Sequence, residues 1–530
     1  MYQRHTGQVS MLETPEMFGS LPLDPNNEWI KLSKLVPWRE FDQKYAENFK
    51  SKKGQRACDS RMALGSVLIK PAYKAMSDED ITREIAMNPY LQYFLGLHEY
   101  RYECPFDASM MTRFRQRITP EMLTWVNDII IGRVKQEEGK QETDEQQNGP
   151  LSPAEMSGDE GNKTDKEVKA SDEESGKNVE ESKSQEEKAE QGKGEQKTNK
   201  GTLILDATCT PQDIRFPTDT SLLNEARLKT EEIIDILHEH KRTDGDKPRT
   251  YRQDAKNQYN GFSKSRKKTA KMIRKTIHKQ LCYLKRNLGY IDEMEKKHPG
   301  CLRSDLTPKQ YEMLQVIRKL YLQQEYMYKN KVHSVDDRIV SISQPWIRPI
   351  VRGKQKADVE FGAKVEMSIV DGFLRIEDLR WDAFNESTTL QASAEKYKEA
   401  YSHYPERILA DTIFRTRENL QYCKEHGIHL NGPKLGKPYS DPKLQKEAEK
   451  LEWLESGERG EIERNFGVGK RRYALDRIVT KLKHTSEVMI HSSVLFMNLR
   501  KKLRLLLRFF FRMLEKSAHN WSLGSLAMAS

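Results

Sequence analysis

From residue 136 to residue 200 the sequence offers a folding chain almost nothing to bury. QEEGKQETDEQQNGPLSPAEMSGDEGNK and the residues after it are Glu, Lys, Ser, Gln and Gly, with nineteen acidic residues against ten basic ones. Such a segment cannot offset the entropy of ordering its own backbone, so it reads as an acidic disordered linker. Any fold must then be built from residues 1–135 and 201–530. The second consequence is electrostatic. The whole chain carries a formal +10, and with the linker's excess of acids set aside the remainder carries +19. A balance of that sign suits a polyanionic partner, nucleic acid before membrane.

With 530 residues, 36% of them hydrophobic, there is material for two or three domains with cores of their own. The six cysteines (Cys58, Cys104, Cys209, Cys282, Cys301, Cys423) form no C-x-x-C pair and have no histidine at zinc spacing. They fit reduced thiols, and the expected location is cytoplasmic. The N-terminus lacks the basic-then-apolar pattern of a secretion signal, and no run of about 18 apolar residues occurs, so no membrane span is expected.

The first block, residues 1–135, opens with a Pro-punctuated lead-in over 1–55 that carries two tryptophans and reads as an arm packed on the next unit. MALGSVLIKPAYKAM then has helical spacing. Ser77 with the acids behind it opens a second helix that Asn88-Pro89 stops. After PFDAS comes a third, MMTRFRQRI, with Arg113 and Arg117 four residues apart on one face and Arg115 offset. Short helices ending in an arginine-bearing one suggest a helix-turn-helix-like DNA reader. The same stripe can equally be a solvated face.

Past the linker, Thr202 to Leu205 reads as a short buried strand that ends in Asp206. A carboxylate there either caps the following turn or is desolvated and holds a cation. Residues 221 to about 335 read as a helical, basic insertion. Its Lys267, Lys268, Lys271, Arg274 and Lys275 could clamp a phosphate backbone or form the wet face of a helical hairpin. Strand signals return at Arg338–Ser343, Val359–Val370 and Phe373–Ile376, with Asp371-Gly372 as a hairpin turn. A helical stretch and a second short strand, ArgIleLeuAla, then deliver a second carboxylate, Asp411. It too can cap the helix behind it, and both roles hold only if one oxygen is spare.

The third acid stands on a helix. Over Glu452–Arg477 the residues Arg459, Glu463, Phe466 and Lys470 recur at spacings of four, three and four and share one face, with Arg471 and Arg472 following. That stripe is either a local ion-pair ladder or an aimed acid between two cations. Gly467 and Gly469, poor helix formers, suggest the close approach of something else. Three carboxylates brought to one place by two strand ends and a helix are hard oxygen ligands suited to Mg²⁺ or Mn²⁺. A pair of such ions supports phosphodiester displacement. At the C-terminus, MNLRKKLRLLLRFFFRMLEK places Arg504, Arg508 and Arg512 on one face of a basic amphipathic helix over 501–530. It reads as a terminal core helix with snorkelling arginines, a DNA-backbone contact or a membrane-surface helix.

Several stretches taken in order, LILDATCTPQDIRFPTDTSLLNEAR, ISQPWIRPIVRGK with VEFGAKV, ILADTIFRTRENLQYCKEHGI with GPKLG, and RGEIERNFGVGKRRYALDR, resemble the bacterial insertion-sequence transposases of the DDE class. The group they are most similar to is insertion-sequence family five. RMALGSVLIKPAYKAMSDEDITREIAMNPYLQYFLGL through PFDASMMTRFRQRI resembles its InsH-type N-terminal domain. The resemblance implies an RNase H-like core of α/β class, a mixed sheet flanked by helices, over 201–500, behind an all-α DNA-binding domain. It makes Asp206, Asp411 and Glu463 the catalytic and metal-binding acids, with Arg459 and Lys470 of the Arg-x3-Glu-x6-Lys signature holding DNA phosphate. It implies two Mg²⁺ ions with Mn²⁺ as substitute, DNA ends and target DNA as partners, a homodimer on DNA, a bacterial, nucleoid-associated setting, and cut-and-paste transposition. Arg471, Arg472, Arg113 and Arg117 are the further DNA-binding candidates. A decayed DNA-binding protein without chemistry and a plain Mg²⁺-dependent nuclease are the rival expectations.

Overall fold

The computed structural model describes residues 2, 15, 18–19, 21–49, 57–133, 199–243, 245–354, 357–433, 436 and 441–527. The linker reading falls outside these residues except at Asn199 and Lys200, and most of the GPKLGKPY loop does too. Among the described residues the first block forms α1 (Glu28–Ser33), α2 (Trp38–Ala46), α3 (Ser60–Ala72), α4 (Asp78–Met87), α5 (Pro89–Phe94), α6 (Ser109–Arg117) and α7 (Pro120–Ile130). The starts are chemical. Ser77 and Asp80 exchange the two bonds of a capping box, and three acids fill the first turn of α4. Asn88 caps α5 with Pro89 in its first turn. The lead-in is more than an arm: α1 seats Trp29 among the rings of Tyr73, Phe94 and Phe496, and α2 sets Trp38 edge-on to Phe94. Helices of six and nine residues are too short for a 3.6-residue period to be read.

The second block begins with β1 (Thr202–Pro211), followed by α8 (Asp219–Glu239), α9 (Arg252–Lys264), α10 (Ala270–Lys297), α11 (Cys301–Ser304) and α12 (Pro308–Asn330). Then come β2 (Arg348–Lys354), β3 (Ala357–Val370), β4 (Phe373–Arg380), α13 (Leu390–Tyr401), β5 (Arg407–Leu409), α14 (Arg417–Glu425), β6 (His429–Leu430), α15 (Pro442–Arg472) and α16 (Lys483–Ala527). The strands make one mixed sheet in the order β2-β3-β1-β5-β6, with β4 also on β3. Pairing is antiparallel from β2 through β3 to β1 and between β3 and β4, and parallel from β1 through β5 to β6. The β3–β4 hairpin turns at Asp371 and Gly372, both left-handed (φ 51° and 79°), as the Asp-Gly pair predicts.

Both faces of the sheet are covered, which is why the first part of β1, Leu203 to Leu205, is an unbroken apolar run. Ile204, Met367 and Ile369 share a core with Ile462 and Phe466 of α15, with α16 and with the first-block helices. Leu203 and Leu205 pack instead with Leu390, Tyr397, Ile408 and Phe414. Helices α8, α10, α11 and α12 enclose a separate core around Leu223, Ile234, Leu284, Ile291 and Leu314. The front half of α16 lies against α3, α6, α7 and β4. There Asn498 accepts from the Leu374 N–H (3.0 Å) and donates to Asn127 Oδ1 (2.7 Å), joining helix, hairpin and first block.

Three expectations need correction. The first strand does not end at Asp206: β1 runs on to Pro211, and Asp206 lies mid-strand opposite Met367 of β3, because the antiparallel partner β3 carries the pairing past the point where β5 stops. Arg338–Ser343 is not a strand. Ile339 and Ile342 point into the helical core and Val340 into the sheet's core, and the Ile339 N–H is taken by the Gln323 side chain (3.0 Å). Ile339 and Ile342, three residues apart, share one core, so the apolar residues do not alternate as in a strand; the segment is threaded between two cores. The C-terminal piece is a core helix only at its start: it continues α16 without a break, Met497, Leu499 and Leu503 are buried in the core, and Phe509, Phe510 and Phe511 are 66%, 58% and 59% exposed.

Candidate active site

Parallel pairing of β1 with β5 matches Thr202 with Arg407, Leu203 with Ile408 and Ile204 with Leu409. Asp206 and Asp411 therefore each lie two residues beyond one matched pair, on neighbouring strands that run about 4.8 Å apart. Beyond Leu409 the chain turns away into a short 3-10 turn, Thr412–Phe414, so β1 continues past its partner and Asp206 meets open space. Asp206 Oδ1 accepts from the Ala207 N–H (2.8 Å), and Asp411 Oδ1 accepts from the Thr412 N–H (2.7 Å). In each case Oδ2 has no hydrogen-bond donor among the described residues. The capping role and a spare oxygen thus coexist at Asp411, while the helix behind it is capped by Thr416.

The third acid comes from α15. Ile462 and Phe466, both buried, hold that helix on the sheet, and Glu463 beside them lines the same cavity as the two aspartates. Arg459 pairs with Glu463 at 3.3 Å. The two neighbouring glutamates are occupied elsewhere: Glu458 pairs with Arg407 (2.8 Å) and Glu461 with Lys501 (3.4 Å). The cavity measures about 640 Å³, and Asp206, Glu386, Asp411, Glu463, Lys364 and Lys470 supply its charged lining. Burial pushes the Asp206 carboxyl up to about 6. The Ala207 N–H opposes that rise, Glu386 and Asp411 add to it, and the Arg459 guanidinium lowers it.

Sequence reasoning missed the Lys364–Glu386 pair (2.8 Å), in which Lys364 also donates to the Phe384 carbonyl (2.7 Å). A lysine amid the β-formers of VEFGAKV was a readable signal. Glu386, in a 3-10 turn capped by Asn385, gave none. Gly469 is explained from within the chain: a Cβ there would meet Leu475 Cδ1 at 2.7 Å and Met497 Sδ at 3.2 Å, so the close approach is that of α16 and the turn before it.

The remaining candidates are dispersed. Arg471 is exposed and donates to the Gly467 carbonyl (3.2 Å), while Arg472 lines a different hollow with Glu28, Tyr473 and Arg500. On α6, Arg113 is exposed, Arg117 lies over the Phe49 ring (5.2 Å), and Arg115 is buried in an ion pair with Asp78. The structure brings Asp206, Asp411, Glu463 and Lys470 to one cavity, with Arg459 beside it, and Arg472, Arg113 and Arg117 do not line it.

Four carboxylates line one cavity, and carboxylate oxygens are hard ligands of the kind that suits a divalent cation such as Mg²⁺ rather than zinc. Among the described residues, no three or more His, Cys, Asp or Glu side chains gather closely enough to hold a metal ion between them. Arg459 holds Glu463 on its own helix. Glu463 is 60% exposed, so that pair is weak and opens at little cost.

Two stretches of the chain match known protein families. Residues 408–500, from β5 through the front of α16, match the family described as Transposase DDE domain. Residues 20–117, from before α1 to the end of α6, match the family described as Transposase domain (DUF772). A protein of Rhizobium meliloti described as "Uncharacterized protein ORF8 in nfe locus" is 33% identical over 101 residues, 19% of this chain and 48% of that protein. The chain thus spans about half the length of this curated relative. No solved structure matches. No helix among the described residues is long and apolar enough to cross a membrane. One transposase-domain match thus holds Asp411 and Glu463 and another holds the helices ahead of the linker, so the chain carries two stretches that belong to transposase domain families.

Proposed function

We propose that the chain is a DDE transposase of an insertion sequence. In this reading Asp206, Asp411 and Glu463 form the catalytic triad of an RNase H-like core, in the manner of insertion-sequence family five with its InsH-type N-terminal domain. The observation that carries the reading is the lining of one cavity by all three acids, two of them at equivalent positions on adjacent parallel strands. The reaction is cleavage at the terminal inverted repeats and joining of the freed 3′-hydroxyl to target DNA, in the bacterial cytoplasm and by a homodimer on DNA.

Asp206 and Asp411 would hold Mg²⁺, or Mn²⁺ in its place, through their spare oxygens, and Glu463 would complete the donor set for a second ion. Bound there, such ions activate the attacking oxygen and stabilise the leaving one. The chain's own residues position the DNA. Lys470, on the cavity wall, neutralises phosphate charge, and Arg459 is freed for a phosphate when Glu463 turns toward the aspartates. Lys364 holds Glu386 back, keeping a fourth carboxylate on the cavity wall and limiting its repulsion of the incoming backbone.

The test uses a supercoiled plasmid carrying the DNA that flanks this gene, with Mg²⁺ or Mn²⁺, and compares wild type with Asp411→Asn. Metal-dependent end cleavage and joining, both lost in the variant, support the transposase. Specific binding without either reaction identifies a decayed DNA-binding protein, and cleavage without joining identifies a nuclease.

A further inference from the structure

We propose that the loop between α9 and α10, with the first turns of α10, forms a second DNA-binding surface that grips duplex phosphates away from the acid cavity. It rests on the reading that DNA is the substrate. Residues 255–291 contain eleven Lys and Arg and not one Asp or Glu. Ion pairs in this helical block are made by other cations, Arg252 with Asp235 (2.7 Å) and Arg318 with Asp292 (2.5 Å). Among the described residues, Lys267, Lys268, Lys271 and Lys275 meet no carboxylate.

The placement works against the fold's own stability, which points to a partner. The first turn of α10 has no acid and carries Lys271, where the macrodipole disfavours a cation; α4 and α8 begin with acids. Lys271, Lys275 and Lys279 recur at four-residue intervals, so like charges face each other along the helix. All ten residues from Arg266 to Lys275 are exposed, Met272 and Ile273 included, so the helix begins clear of its bundle. Local rules broken together at one exposed place are what a binding surface shows.

Aromatic rings steady the cations. Lys268 lies over Phe262 (5.5 Å). Arg274 lies over Tyr328 (4.2 Å) and donates to its carbonyl (3.2 Å), which fixes the guanidinium at the edge of the patch. Flexible lysines beside the N–H groups at the start of a long helix suit phosphates, whose spacing they can follow, better than the fixed geometry of a base edge.

The experiment measures binding of the full chain to a labelled, arbitrary-sequence duplex of about 40 base pairs across a salt series. The quadruple variant Lys267→Ala, Lys268→Ala, Lys271→Ala and Lys275→Ala should bind at least about tenfold more weakly at low salt. Its slope of log affinity against log salt should be shallower by about 3–4, at roughly 0.9 for each phosphate no longer neutralised. The double variant Lys267→Ala, Lys268→Ala, which leaves α10 untouched, should lose about half of that slope, and four Lys→Arg replacements should keep the wild-type slope. Wild-type slope and affinity in both Ala variants would overturn this surface while leaving the transposase reading in place. A wild-type chain that binds no duplex would overturn both.

Discussion

Asp206 and Asp411 repeat one arrangement: each stands two residues past a matched strand pair, accepts the next residue's N–H at Oδ1, and has no donor at Oδ2 among the described residues. The backbone bond fixes the carboxyl plane while leaving the second oxygen available to a ligand. Structure and chemistry are therefore separable at this site. Asp411→Ala should cost about 1 kcal/mol through loss of the cap, Asp411→Asn should cost little, and both should abolish strand cleavage. Urea unfolding measured beside the plasmid assay checks this, and cleavage by Asp411→Asn would contradict it.

Three glutamates within six residues of α15 compete for the role of third acid, and their partners separate them. Glu458 and Glu461 are paired to Arg407 and Lys501, away from the cavity that Glu463 lines. Glu463→Gln should lose cleavage and joining by at least about a hundredfold while keeping DNA affinity, the pattern of a group that acts only in the transition state. Glu458→Gln and Glu461→Gln should stay within a few-fold of wild type, and a loss at either equal to that at Glu463 would reassign the triad.

On α6 the arginines divide between fold and surface. Arg115 is buried against Asp78, so Asp78→Ala leaves a charge uncompensated and should cost about 3 kcal/mol of stability. Arg113→Ala, at an exposed position, should leave the melting temperature within a degree or two and weaken DNA binding if α6 faces DNA. Melting curves and a gel-shift assay on both variants check the division, which an unstable Arg113→Ala would contradict.

Inside the sheet, Glu366 is buried with Oε1 accepting from the Thr389 hydroxyl (2.6 Å) and Oε2 without a hydrogen-bond partner among the described residues. Burial raises its carboxyl from 4.5 to about 7; Glu377 and Asp378 add to the rise, and the Thr389 bond and Lys396 oppose it. The folded chain therefore holds a proton that the unfolded chain releases between those values. The stabilisation is full below 4.5 and is lost as pH climbs to about 7. Glu366→Gln does not titrate, so its stability relative to wild type should rise by roughly 2–3 kcal/mol between pH 5 and pH 8. Denaturant titrations at the two pH values check it, and a difference that does not change with pH would contradict it.

The parts of the site set by local chemistry were legible in the sequence. The spacing of Arg459, Glu463, Phe466 and Lys470 sets the buried and cavity-facing sides of α15, whereas the apolar run before Asp206 showed where β1 loses its parallel partner β5 and not where β1 itself ends, at Pro211. Features that local chemistry does not encode stayed hidden. The Lys364–Glu386 pair joins residues from a strand and a turn, and Arg338–Ser343 is rich in β-formers because it threads between two cores, not because it lies in the sheet. The exposed phenylalanines of α16 looked like core because composition cannot tell where a long helix leaves its neighbours.

The central claim is that Asp206, Asp411 and Glu463 share one divalent-cation site. Titrating the full chain with Mn²⁺ and following the free ion by electron paramagnetic resonance tests it most directly. Saturable binding by wild type, weakened at least about tenfold in Asp206→Asn and in Asp411→Asn and unchanged in Glu461→Gln, is the result expected, a tenfold loss being about 1.4 kcal/mol. Wild-type affinity in both Asn variants would contradict the account.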